Sequence, residues 1–290
     1  MTEAPQSIIP HQEGSQEIKA SYRDLALKVW QKAISQSQRP RLEEVGKDVV
    51  IPFVLRALDR MFALEEVAKT PLLDRITEED IKMNAIWCPS APGTWQRPWK
   101  KDRYEKLPFT KWWDRDQIRA SIKISRAIGR LRIGQPAKGQ LSEELQEEAL
   151  GSSPPIIYNG RLDENAALRE VIESGTYESE FLKEQLYLID TERAKAFNSL
   201  DQVRNFKLPE RNIESGDNIG IVIRPGQATR MLHFLANPKN EFPEDVRVKI
   251  FPVATGVEGT PHHQILETCG LLYYRFSSGD AAEKPYPYVV

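Results

Sequence analysis

Beyond Met83 the chain alternates between short apolar runs and longer amphipathic stretches, and that alternation constrains its fold more than any other feature. "NAIW" is followed by "DRDQIRASIKISRAIGRL", "PIIYNG" by "DENAALREVIESG", and "QLYLID" by "NSLDQVRNF". Then "IGIVIR" leads into "GQATRMLHFLAN", and "VRVKIFPVAT" into "HHQILETCGLLYYRF". Strands separated by helices of this length predict a parallel sheet with crossover helices.

Because each crossover is expected to be right-handed, the pattern narrows to an α/β fold with an open, mainly parallel, doubly wound (Rossmann-like) sheet. This domain is expected over residues 83–276. Residues 1–17 are polar and broken by proline and read as a disordered tail. Residues 18–82 read as an α-helical N-terminal extension, with Leu25, Val29, Trp30 and Ile34 at helical spacing. Pro52 is expected to break or kink the second helical stretch. Thr77 to Asp80 has the form of a capping box ahead of the first strand. The stretch from Gly134 to Pro155 reads as an insertion or flexible loop with a short helix near Glu143 to Leu150. Residues 277–290 read as a loose C-terminal tail.

Composition excludes several classes of protein. The 290 residues suffice for a sizeable core without disulfides or metals. Forty Lys and Arg face 42 Asp and Glu, so no general attraction to nucleic acid or anionic membrane is expected. Two distant cysteines, Cys88 and Cys269, and four histidines show no metal-ligand spacing, so no metal site is expected. The opening stretch has no apolar core of signal-peptide length, and no apolar run approaches the roughly eighteen residues of a membrane span. A soluble, cytoplasmic protein is the expectation.

In an open parallel sheet, ligands bind outside the carboxyl ends of the strands, where the strand order reverses. The residues after each apolar run are therefore the candidates. Ser90, Gly93 and Thr94 follow the first, in "IWCPSAPGTW"; Asn159, Gly160 and Glu164 follow the second; Asp190 and Asn198 follow the third; Arg224, Gln227 and Arg230 follow the fourth. Each also has a plainer reading. Asp163 and Asn198 are placed to cap helices, with Gln202 adding a first-turn hydrogen-bonding group. The arginines, including Arg119 in the first long helix, suit bidentate binding of phosphate or carboxylate but could equally pair with surface acids.

No motif fixes a ligand or a cofactor: G-x-G-x-x-G, G-x-x-x-x-G-K-[ST] and G-x-S-x-G are all missing. Ser90 as a nucleophile with His233, His262 or His263 as base is a minor reading, since His233 falls within an amphipathic helix and the His262–His263 pair at a helix start. The Trp95, Trp99, Trp112 and Trp113 cluster, mixed with Lys100, Lys101 and Arg103, could stack nucleic-acid bases, or fold over a site as a lid within Gln96 to Thr110.

The order of pieces over about residues 84–256 resembles the SanA/ElyC/YdcF-like family, a Rossmann-like domain of largely unsettled function. In that resemblance Arg119 stands for the arginine of the first helix, and Asn159-Gly160 for a Ser-Gly pair. Glu164 matches a helix-start glutamate, and Asn198 and Asp201 fall where a Thr and an Asn are expected. Gln227 and Arg230 are similar to a His-x-x-Arg, with the histidine replaced by a residue that can only hydrogen-bond. The resemblance implies a small anionic, nucleotide-like or S-adenosylmethionine-like ligand; Arg119, Arg224 and Arg230 would hold anionic groups, and Glu164 and Asp190 would bind hydroxyls or move protons. It leaves open whether the protein is an enzyme. The other reading is a non-catalytic adaptor binding a partner protein through residues 18–82.

Overall fold

The structure, a computed structural model, describes residues 16–34, 39–90, 115–160, 162–174, 186–189, 198–254 and 260–290. The chain divides into two compact units that interleave in sequence. One holds the sheet and spans Thr70–Ile223 with Pro243–Val253; the other is helical and comprises the residues up to Lys69 with Arg224–Phe242 and Ala254–Val289.

Among the described residues of the sheet unit, five strands run β1 (Ala85–Pro89), β2 (Ile156–Asn159), β3 (Leu186–Leu188), β4 (Asn218–Ile223) and β5 (Arg247–Pro252). They hydrogen-bond in the order β3-β2-β1-β4-β5, and each adjacent pair is parallel, with Trp87 opposite both Ile157 and Ile221. This is the open, Rossmann-like α/β sheet that the alternation predicts, and its order reverses between β1 and β4. Every residue of β1 and β2 is buried, as expected of strands covered on both faces. Helices α4 (Arg115–Arg132), α5 (Glu143–Gly151), α6 (Leu162–Glu173) and α7 (Ser199–Arg204) complete the unit.

Apolar residues of α4 recur at helical spacing, and Ile118, Ile122, Ile124 and Ile128 bury against Ile86, Cys88, Ile156, Val222 and Phe251. The segment read as an insertion does carry its short helix: α5 is capped by Ser142 and packs on α4. Gly129 permits that approach, because a Cβ there would sit 2.1 Å from the Ala149 carbonyl oxygen. The capping box forms, with the Thr77 amide donating to Asp80 Oδ2 at 2.7 Å. Asp80 also pairs with Lys249 of β5 at 2.7 Å, both side chains being almost fully buried. Lys249 Nζ donates in addition to the Arg75 carbonyl at 2.8 Å, so one lysine ties the turn before β1 to β5.

The helical unit contains α1 (Gln16–Ile34), α2 (Arg39–Val45), α3 (Lys47–Lys69), α8 (Pro225–Leu235) and α9 (Pro261–Leu272), then a π-helical turn, Tyr273–Ser278. Leu25 and Val29 of α1 and Phe53, Val54, Leu58, Met61 and Leu64 of α3 are buried, with α1 packed on α3 and α9, and α3 on α8 and α9. Of the apolar stripe expected in the first helix, Leu25 and Val29 are thus used inside this unit. Pro52 does not break α3. The interruption falls at Gly46, whose φ of 88° is the left-handed conformation that glycine adopts without strain.

The last residues are held in place rather than loose. The Ala282 amide donates to the His233 carbonyl and the Tyr286 amide to that of Leu232, both at 2.8 Å, and Tyr286 packs edge-on against Phe242. A two-residue strand, β6 (Tyr288–Val289), follows. No helix among the described residues is long and apolar enough to cross a membrane.

Candidate functional site

At the reversal point of the sheet the carboxyl ends of β1, β2 and β4 are held by two glutamines. Gln202, in α7, donates from Nε2 to the Ser90 carbonyl at 2.9 Å, to Ser90 Oγ at 2.8 Å and to the Asn159 carbonyl at 3.2 Å. Gln117, in the first turn of α4, donates from Nε2 to the Val222 carbonyl at 3.3 Å and the Pro89 carbonyl at 3.4 Å. Carbonyl oxygens only accept, so in both residues the amide nitrogen must be the end that faces the strands. The other end, Oε1, is buried in each case and receives no hydrogen bond from the described residues. A buried acceptor left unsatisfied costs about 1–3 kcal/mol. The two glutamines thus leave buried acceptors beside the strand-order reversal, the place where an open α/β sheet binds ligands.

The neighbouring polar residues have structural partners. Asn159 accepts from Trp87 Nε1 at 2.8 Å and donates to the Gln202 carbonyl at 2.7 Å, while Trp87 stacks on Phe206 with centroids 4.1 Å apart. Both ends of the Asn159 amide thus join β1, β2 and α7. The Gly160 amide donates to Asn165 Oδ1 at 3.1 Å, and Asn165 Nδ2 donates to the Ile189 carbonyl at 2.9 Å, linking the ends of β2 and β3. Glu164 is completely buried beside them. A Cβ at Gly160 would lie 2.8 Å from Glu164 Oε2 and 2.9 Å from Asn165 Oδ1, so a larger residue there would push these side chains aside. Asn198 caps α7, accepting from the amides of Leu200 and Asp201 at 2.8 and 3.1 Å.

Arg119 is half-buried on α4. It lies two residues beyond Gln117, about 200° around the helix axis, so the two side chains leave α4 on opposite sides. Gly93, Thr94 and Asp190 lie outside the described residues, as do the Trp95–Trp113 cluster and the lid expected at Gln96 to Thr110.

The other expected residues belong to the helical unit. Arg224 precedes α8 and is nearly buried, as is Gln227. Arg230 donates to Glu267 Oε2 of α9 at 2.6 Å, which is the pairing with an acid that was the plainer reading for the arginines. Burial pushes the Glu267 carboxyl up, but the charges of Arg230, Arg224 and His263 outweigh it and hold the pKa below the ordinary carboxylate value. His262 and His263 do open α9, behind the cap of Thr260. The described histidines, His233, His262 and His263, fall in this unit, and the Ser90 hydroxyl accepts from Gln202 in its own. Among the described residues no three His, Cys, Asp or Glu side chains gather as a metal ion would require.

Sequence reasoning passed over Gln117, and took Gln202 only as a helix-start group. The signal available for Gln117 was its position: it shares the buried face of α4 with Ser121, Ile124 and Ile128, where an apolar residue would be expected. Comparison with protein-family models, with curated proteins and with solved structures found no match to this chain.

Proposed function

We propose that the chain binds a small nucleotide-like molecule at the carboxyl edge of its parallel sheet, as a YdcF-like protein would. The observation that carries this reading is the pair of buried, unsatisfied Oε1 atoms on Gln117 and Gln202 beside the strand-order reversal. Nucleosides, sugars and S-adenosylmethionine all carry hydroxyl or amine donors complementary to such acceptors. The reading is one of binding rather than turnover. Gln227 cannot move protons as the histidine of the resembling family could, and the sheet unit has no histidine of its own.

The adaptor reading is weakened by the helical unit's own packing, which consumes the apolar face of α1 and α3. Thermal-shift titration with nucleotides, S-adenosylmethionine and sugar phosphates separates the two. Saturable stabilisation is expected from at least one of them, of about 2.7 kcal/mol at a hundred times its Kd. The Gln117→Met variant should lose most of that shift. If no compound in the three classes stabilises the protein, the binding reading fails and the adaptor becomes the better account.

A further inference from the structure

The helical unit contains a cleft that neither the family resemblance nor the sheet-edge site uses. It is lined by Phe53, Arg56 and Arg60 of α3, His233 of α8, and Glu283, Lys284 and Pro285 of the C-terminal segment. Its volume is about 340 Å³, at the lower end of the range for small-molecule sites.

The floor of this cleft is built with care for one cation. His233 is buried, and its Nδ1 lies 2.8 Å from the Ala282 carbonyl while its Nε2 lies 3.1 Å from Arg60 Nη1. A carbonyl can only accept and a guanidinium can only donate, so the imidazole carries its proton on Nδ1 and offers the lone pair of Nε2 to Arg60. A neutral histidine thereby holds the guanidinium without cancelling its charge. Phe53 packs edge-on to the same imidazole at 5.3 Å and to Phe276 at 5.6 Å, giving the floor an aromatic wall beside the cation.

Charge at the mouth has the same sign. Arg56 and Lys284 join Arg60, against one lining acid among the described residues, Glu283, which already faces Arg275 at 3.6 Å. Asp59, Arg60's neighbour in the chain, adds one further negative charge nearby. Three cations converging on a cleft with an aromatic wall match a doubly charged oxyanion attached to a flat apolar group. We infer that this cleft is a binding site for a small phosphate monoester with an aromatic or similarly flat apolar part, with the phosphate at Arg60, Arg56 and Lys284 and the apolar part against Phe53 and Pro285.

The test is calorimetric titration with phenyl phosphate, inorganic phosphate and benzoate. Phenyl phosphate should bind saturably and at least tenfold more tightly than either of the others. Arg56 and Lys284 are exposed, so an Arg56→Gln/Lys284→Gln variant is expected to keep the native melting temperature and to bind phenyl phosphate at least tenfold more weakly. Arg119→Ala, in the sheet unit, should leave this binding unchanged. Failure of phenyl phosphate to bind overturns the inference, as does binding that the double variant leaves intact. Loss of binding in Arg119→Ala alone would place the ligand in the sheet unit and equally overturn it. Tighter binding of benzoate would overturn the phosphate assignment in favour of a carboxylate.

Discussion

Gln117 and His233 are both polar side chains at buried positions, and the difference between them separates a candidate binding residue from a structural one. His233 has both ring nitrogens engaged, whereas Gln117 has one end engaged at long distances and the other without a donor among the described residues. The environment of His233 has a consequence for stability. Burial, reinforced by the charge of Arg60, lowers its pKa to about 3 from 6.5. The unfolded chain therefore takes up a proton below about pH 6.5 that the native protein refuses until far lower. The contribution of His233 is full above pH 6.5 and is lost as pH falls toward 3. Between pH 7 and pH 4 that loss is roughly 3 kcal/mol. Urea unfolding at the two pH values should show a correspondingly smaller drop in a His233→Gln variant, which can still donate to Ala282 and accept from Arg60. An identical drop in both proteins would show that the imidazole is not held neutral. Neither residue's role was legible in the sequence. His233 looked like any polar position in an amphipathic helix, and the partners that define it lie 173 residues before it and 49 residues after it.

Among the elements, those fixed by near neighbours were read correctly and those fixed by distant ones were not. The Thr77–Asp80 box and the Asn198 cap depend on contacts two or three residues apart, so their patterns carry over from sequence to structure. The expected break at Pro52 is not there: α3 runs through that residue, and the helical stretch is interrupted at Gly46, just ahead of α3. The C-terminal segment misled because its anchors are the carbonyls of Leu232 and His233, which polar composition does not reveal. The Lys249–Asp80 pair is a similar long-range tie, spanning 169 residues, and its test belongs to this scale. Lys249→Met removes one member of a buried pair and leaves the carboxylate uncompensated, at an expected cost of about 3–5 kcal/mol. Chemical denaturation measures it. A loss under about 1 kcal/mol would mean that the turn before β1 is not held to β5 by this lysine.

For the molecule as a whole, the parallel sheet could be read from alternation alone, because strands buried on both faces are apolar throughout and their crossover helices are amphipathic. The division into units could not. The segments carrying α8 and α9 look in sequence like ordinary crossovers, yet they cluster with the N-terminal helices to build a second core around residues such as Phe53, Val29 and Phe234. The candidate residues split along the same line, with Ser90, Asn159, Glu164 and Asn198 in the sheet unit and Arg224, Gln227 and Arg230 in the helical one. The central claim rests on what the sheet unit offers by itself, namely acceptors at the strand-order reversal. Its most direct test is calorimetric titration of the most stabilising nucleotide-like compound into the wild-type protein and into Gln117→Met, alongside their unfolding free energies. Methionine keeps the shape while removing two long hydrogen bonds and one unsatisfied acceptor. The account predicts stability unchanged to within about 1 kcal/mol, with affinity reduced at least tenfold. Unchanged affinity together with a clear loss of stability would contradict it, making Gln117 a strut of the sheet and nothing more.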